Sequence, residues 1–523
     1  MVTPIDIQIT NKVLTAVAEE MGIVLQKAAM SSNIKERRDF SCAIFDAEGN
    51  MLSQAAHIPV HLGAMPMTVA ELKKSFSLGP GDVIITNDPY KGGTHLPDIT
   101  LMSAVFPQGS SELPAFYLVA RAHHADVGGT TPGSMALTSS LEEEGVIIAP
   151  ALLKKKGEID QKFLDSILKD MRNPQERMGD LQAQLASLAR GEFRLLELIR
   201  KEGLKLLYER IDPLLEYGER VMKSLISEMP DGQYLFEDFL DDDGLSDHPV
   251  PLKCGVSISG SHVIVDYSDS AFQLKTGLNT VKSVTASATY YVFFSLLGSG
   301  YPINGGSLRP IKIITKPGTI LDARHPAPVA AGNVETSQRI VDTLLGALSK
   351  AVPDLIPAAS CGTMNNIAIG GHWPDGEAFT YYETIGGGMG AIKGADGLSG
   401  VHTHMTNTLN TPIEALEQTY PFRVESYSLR KHSAGEGLFK GGQGMVRRYL
   451  FLQEAIVTLL TERRRKAPYG LFGGQSAAKG QNLFISRENG DEIRLPGKGT
   501  FRVKAGDKLE IRTPGGGGWG AKG

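Results

Sequence analysis

The chain has 523 residues, of which 41% are hydrophobic and 21% charged, a balance that excludes a disordered chain and predicts roughly two to four folded domains. Its formal net charge of −5 excludes a general attraction to nucleic acid or to an anionic membrane. Cys42, Cys254 and Cys361 are too scattered for a zinc knuckle or a disulfide framework, and read as small buried hydrophobes in a reducing compartment.

The opening MVTPIDIQIT shows no basic region followed by an apolar one, and no run approaches the ~18 apolar residues of a membrane span. A cytoplasmic location is the expectation. From Ile5 to Ala29 the apolar residues Ile9, Val13, Val17, Met21 and Val24 recur at helical spacing. Strand-like runs follow in SCAIFD, DVIITND, ITLMSAVF and AFYLVARAHH, with hairpin chemistry at Asp46–Asn50. Residues 173–229 are helical in pattern, with Leu181, Leu185, Leu188, Leu195 and Ile199 near one stripe; Gly191 and Gly203 argue against one unbroken helix.

Past Pro230 the chain alternates or runs apolar as strands do. SVTASATYYVFFSLLG fits helix or strand, and ETSQRIVDTLLGALSKAV reads as a helix. From about Ser426 strand and turn signals dominate. The predicted fold is a mixed α/β (α+β) multidomain protein. It comprises an N-terminal α/β part (1–172), a helical segment (173–229), a mixed α/β part (230–425) and a β-rich C-terminal part (426–523). The 59 glycines cluster in runs such as TIGGGMGA, FKGGQGM and TPGGGGWG, suited to close backbone approach in irregular turns; TPGGGGWG reads as a structural turn.

Chemistry-bearing residues concentrate early. In GGTHLPDITL, His95 and Asp98 flank Pro97 and so sit on a loop. RAHHADVGGT brings His123, His124 and Asp126 to a strand end, and Asp39 precedes another strand. Imidazole with carboxylate suits Mn²⁺, Fe²⁺ or Zn²⁺. The same residues at strand ends also cap turns and bond backbone groups, and spacing alone leaves both readings open. His57 and His61 are separated by Pro59, which excludes a helical ligand pair and favours pocket-lining or core histidines. Arg463 and Arg464, in TERRR, offer guanidinium groups for an anion or a subunit contact. No GxxxxGK[ST] phosphate loop is present.

The ordered segments ERRDFSCAIFD, HIPVHLGAMP, ITNDPYKGGTHLPDITL, AHHADVGG, GNVETSQRIVD, TERRRKAPYGLFGG and TPGGGGWG together resemble the hydantoinase B/oxoprolinase family over essentially the whole chain. The resemblance implies the B-type component of an ATP-dependent amidohydrolase. A partner A subunit would bind ATP and phosphorylate the carbonyl oxygen of a cyclic amide such as a hydantoin, 5-oxoproline or another lactam. A metal-activated water on this chain would then complete hydrolysis. It further implies two His and two Asp as metal ligands, mapping onto Asp39, His95, Asp98 and His123, with His124 as the alternative and Asp126 orienting an imidazole from behind. One divalent cation (Mn, Zn or Fe) is expected here, and ATP only on the partner. His57, His61, Arg463 and Arg464 are the candidate substrate or anion contacts. The competing readings are a subunit of an ATP-dependent ketone carboxylase and a scaffold without chemistry.

Overall fold

A computed structural model of the chain describes residues 2–55, 58–107, 113–298, 300–488 and 490–522. The N-terminal part is built on a seven-stranded antiparallel sheet of β1 (Phe40–Asp46), β2 (Met51–Ala55), β3 (Val83–Thr86), β4 (Asp98–Val105), β5 (Phe116–His123), β6 (Ala151–Lys155) and β7 (Glu158–Ile159). Their spatial order is β2-β1-β5-β4-β3-β6-β7. Side chains alternate between its faces. Cys42, Ile44, Leu101, Leu118 and Ala120 join the main core, whereas Ala43, Phe45, Met102 and Val119 join Met65, Val69 and Leu72 of the helix Ala64–Ser75. Both faces are covered, which is why these strands read as unbroken apolar runs.

The helix Pro4–Ala28 starts on a reciprocal Thr3–Asp6 capping box and packs against a second long helix, Pro174–Glu202. Gly191 does not interrupt that second helix. A Cβ there would lie 2.5 Å from Met21 Sδ, so the glycine lets the two helices touch. Gly203, at φ +85°, does end it, and Leu204–Ser227 continues as a separate helix.

A four-stranded sheet (Gly232–Leu240, Val250–Ser259, His262–Asp266, Ile311–Ile314) follows, and the helix Ser337–Leu348 packs on it. The ambiguous apolar run is a helix, Lys282–Leu297. The next sheet pairs Asn366–His372 and Ala378–Glu383 with Ala455–Leu460 and Lys498–Val503. The expected divide at 425/426 therefore runs through a sheet, and the main core extends from Leu14 to Leu460 across the divides at 172/173 and 229/230. Five strands from Phe422 to Arg512 form the last sheet.

TIGGGMGA, FKGGQGM and TPGGGGWG interlock backbone on backbone. A Cβ on Gly442 would meet Leu398 O at 1.8 Å and one on Gly516 would meet Met389 O at 2.0 Å, while Gly516 N–H donates to Gly442 O at 2.9 Å. Only glycine permits that spacing, and the structural role expected for TPGGGGWG is the one found. Among the described residues no helix is long and apolar enough to cross a membrane.

Candidate metal centre

Antiparallel register gathers the site. Asp98 opens β4 directly opposite His123, which closes β5, and His123 N–H donates to Asp39 O at 2.9 Å on the far side of β5. Three separate turns thus deliver Asp98, His123 and Asp39 to one end of the sheet. His95 is added by the tight turn into β4, closed by Asp98 N–H donating to His95 O at 3.1 Å. The glycines before it are needed: Gly92 has φ +83°, and a Cβ on Gly93 would lie 2.5 Å from Asp88 O.

His95 Nε2 and His123 Nδ1 each lie 3.3 Å from Asp98 Oδ1 and 3.2 Å from each other. The other Asp98 oxygen accepts from Thr94 Oγ1 and sits 3.3 Å from His61 Nε2, whose Nδ1 faces Ser41 Oγ at 3.0 Å. All of these groups are buried. Burial pushes the Asp98 carboxyl up, but His95, His61 and His123 outweigh it and hold the group well below the usual carboxylate range. Burial drives the His123 imidazole down, against the pull of Asp39 and Asp98. The shift favours the neutral form, in which imidazole binds a metal. The His123 ring stacks on Tyr382, with centroids 5.0 Å apart and planes 12° apart. The Arg37 guanidinium lies 4.9 Å from the Tyr382 ring centroid.

His95, Asp98 and His123 present ligating atoms within 4.8 Å of one another. Asp39 lies outside this tight trio, with Arg37 3.8 Å from its carboxylate, but lines the same cavity as His61, Asp98 and His123. That cavity measures ≈ 20 Å³, room for an ion or one water. The roomier surface cleft of ≈ 600 Å³ beside Thr130, Arg172 and Phe379 contains none of the four candidate ligands. Two ring nitrogens and a carboxylate oxygen gathered within 4.8 Å of one another, with two of the three residues lining this cavity, match the ligand chemistry of a divalent transition metal.

The remaining candidates sit elsewhere. His124 points away from the trio, its Nε2 3.0 Å from Gln184 Oε1, and burial lowers it to about 4. Asp126 is committed to its own turn rather than to an imidazole. It accepts from Gly128 N–H at 2.7 Å, Gly133 N–H at 2.8 Å and the Arg172 guanidinium at 3.0 Å. His61 reaches Asp98, whereas His57 lies outside the described residues.

Arg463 and Arg464 are not available to an external anion. Arg463 bonds Asp238 at 2.7 Å and Asp342 at 2.5 Å; Arg464 bonds Asn365 at 2.7 Å, Asn482 at 2.9 Å and Glu462 O at 2.8 Å. Buried carboxylates and amides, invisible as partners in sequence, engage both terminal nitrogens of Arg463 and of Arg464, and burial closes the rest off.

Glu335 belongs to the same buried network. Burial and the neighbouring Glu462 charge raise its carboxyl to about 8. A raised folded-state value means stability present at low pH is lost as pH climbs from ~4.5 towards that value. Glu335→Gln should therefore flatten the decline of Tm between about pH 5 and 9. Thermal unfolding of both proteins across that range checks it; parallel curves would contradict it.

The fold, the sheet-end cluster and the motifs define a class. The sequence model of the Hydantoinase B/oxoprolinase family matches residues 3–522, and the chain belongs to that family. It is 37% identical to 5-oxoprolinase 1 of Arabidopsis thaliana, over 99% of this chain but only 42% of that protein. It is 31% identical to a protein of Pseudomonas sp. (strain NS671) assigned as the B component of a D-/L-hydantoinase, over 99% of this chain and 90% of the relative. Among solved structures, the ATP-dependent caprolactamase from Pseudomonas jessenii superposes with a TM-score of 0.91 at 27% identity, covering 100% of this chain and 92% of that one.

Sequence reasoning named the ligand candidates but missed Thr94 and Tyr382, which hold Asp98 and His123, Ser41, which holds His61, and the walls from Asn333, Met364, Met405, Thr406 and Thr408. Only GNVETSQR carried a signal for any wall residue, and its pattern reads simply as a helix start.

Proposed function

We propose that this chain is the B-type component of an ATP-dependent amidohydrolase that opens a cyclic amide after a partner A subunit has phosphorylated the carbonyl oxygen. The observation that carries the reading is the buried convergence of His95, Asp98 and His123, within a family whose relatives include 5-oxoprolinases and a hydantoinase B component.

Asp39, His95, Asp98 and His123 would hold the cation, of the Mn, Zn or Fe type. When bound it supplies Lewis acidity and lowers the pKa of a water towards ~7. The chain's own side chains do the rest. Asp98 spends one oxygen on Thr94 and His61, which fixes its plane and leaves Oδ1 facing the two imidazoles. Tyr382 fixes the His123 ring by stacking. Burial favours the unprotonated form of His123, and the apolar walls Ile58, Val60, Val334 and Met405 keep bulk water from competing for the activated substrate. An unactivated amide is a poor electrophile, so prior phosphorylation on the partner matches a site built for attack by water. Water would add to the activated carbon, and the C–N bond of the adduct would break with a proton passing to the ring nitrogen. A second water would hydrolyse the acyl phosphate to carboxylate and phosphate.

The test is co-purification with an A-type ATP-binding subunit, measuring phosphate release and ring opening on 5-oxoproline, hydantoin and caprolactam, with and without bicarbonate. ATP-dependent ring opening by the pair, indifferent to bicarbonate, is the expected result, with the single chain inert. Robust opening by the single chain would overturn the division of labour, and a bicarbonate-dependent carboxylated product would place the chain with ketone carboxylases.

A further inference from the structure

Ahead of the helix Ser337–Leu348, residues Gly332–Thr336 form a π-helical turn, a local widening that recurs at functional sites. It is firmly built. A Cβ on Gly332 would lie 1.8 Å from Asn279 O, so the turn presses directly onto that backbone. Met364 N–H and Asn366 Nδ2 donate to Glu335 Oε1 at 3.1 and 2.7 Å, and Thr336 Oγ1 donates to Leu278 O at 2.6 Å.

Asn333 sits on this turn. Its backbone is satisfied: its N–H donates to Val329 O at 3.2 Å, and its carbonyl accepts from Ser337 Oγ at 2.6 Å. Its side chain is not. The residue is 3% exposed and its Oδ1 has no hydrogen-bond partner, a costly condition for a buried polar atom. The residue lines the same cavity as Asp39, His61, Asp98 and His123.

Resting on the cyclic-amide reading above, the geometry points to Asn333 as the residue that binds the scissile amide of the substrate at its ring nitrogen. A lactam or hydantoin ring forces its amide cis, so N–H and C=O lie on one edge. The carboxamide of Asn333 presents an acceptor and one N–H donor side by side on a matching edge. An open-chain amide is trans and places N–H and C=O on opposite edges, so the same contact selects rings over linear amides. The nitrogen contact also survives phosphorylation of the carbonyl oxygen. Oδ1 accepts from a ring N–H, and the amide N–H₂ donates to the nitrogen once it has lost its proton. A cavity of ≈ 20 Å³ does not hold a whole ring. Substrate entry therefore displaces a wall, and the stretch Met405–Thr408 is one lining segment that lies outside helix and strand.

The experiment uses the complex with its A subunit, and 5-oxoproline beside its N-methyl derivative. The wild-type complex should open the N–H lactam at least about 10-fold faster than the N-methyl lactam, which can neither donate nor become a bare nitrogen acceptor. Asn333→Ala should lose at least about 10-fold in ring opening of the N–H substrate and erase most of that preference. Bound metal, measured by elemental analysis, should stay at the wild-type level, and Asn333→Gln should recover part of the rate. Equal wild-type rates on both lactams, or unchanged ring opening by Asn333→Ala, would overturn the assignment while leaving the hydrolase reading intact. Loss of metal in Asn333→Ala would overturn it by making Asn333 part of the metal's support. A wild-type complex that opens no cyclic amide would remove both readings at once.

Discussion

His95→Ala should strip the cation and ring opening together, lowering product formation by more than about 10²-fold; even removing a residue that merely supports a ligand typically costs 10–100-fold. His95 contributes one of the two imidazole nitrogens facing Asp98 Oδ1, and nothing else in the turn Thr94–Asp98 replaces it. Phosphate release by the A subunit should continue, because phosphorylation is expected on that chain. Metal content, phosphate and opened product are therefore measured on one preparation. Phosphate without product is the expected signature. Full product formation by a metal-free His95→Ala complex would reduce His95 to a turn residue.

Arg463→Met should be the most destabilising single change outside the candidate centre. Arg463 is 1% exposed and bridges Asp238 and Asp342. Burial alone would raise the Asp238 carboxyl, yet Arg463 and Arg339 hold it at about 2. Removing the guanidinium leaves two buried carboxylates short of a counter-charge, and breaking such a pair costs about 3–5 kcal/mol. Urea unfolding gives the loss directly. Adding Asp342→Asn to Arg463→Met should recover part of it, since one orphaned charge is then gone. A change below about 1 kcal/mol would show that the network tolerates the gap.

Much of this was legible in the chain. The strands β1, β3, β4 and β5 appear as apolar runs because both faces of their sheet are covered, and the turns before β4 and after β5 announce themselves through Gly92, Pro97 and Gly128. That places Asp39, His95, Asp98 and His123 at strand ends. Only the register of β4 against β5 brings Asp98 opposite His123, and register depends on pairing partners that no local pattern names. The pairing also separates His123 from His124: adjacent residues on a strand face opposite sides, and the second reaches Gln184. Asp126 and the two arginines were misread for one reason. Each has partners remote in sequence — Arg172 for Asp126 beside its own turn's N–H groups, Asp238 and Asp342 for Arg463, Asn365 and Asn482 for Arg464 — so a charged motif looked available when it was already engaged. The supposed boundary at 425/426 failed similarly, because Asn366–His372 finds its neighbour strand about ninety residues later.

The cavity lies on a seam. Its ligand side comes from residues 39–123, held by one sheet, while the facing wall comes from Asn333, Met364, Tyr382, Thr384 and Met405–Thr408, carried by other elements. The two sides are thus free to vary separately over evolutionary time. Apart from Tyr382, which stacks on His123, substitutions in the later wall reshape the space offered to a ring without touching the donors that hold the ion, so new substrate scopes are reachable in single steps that leave the chemistry running. Change on the ligand side has no such latitude, because His95, Asp98 and His123 share one oxygen atom as their meeting point.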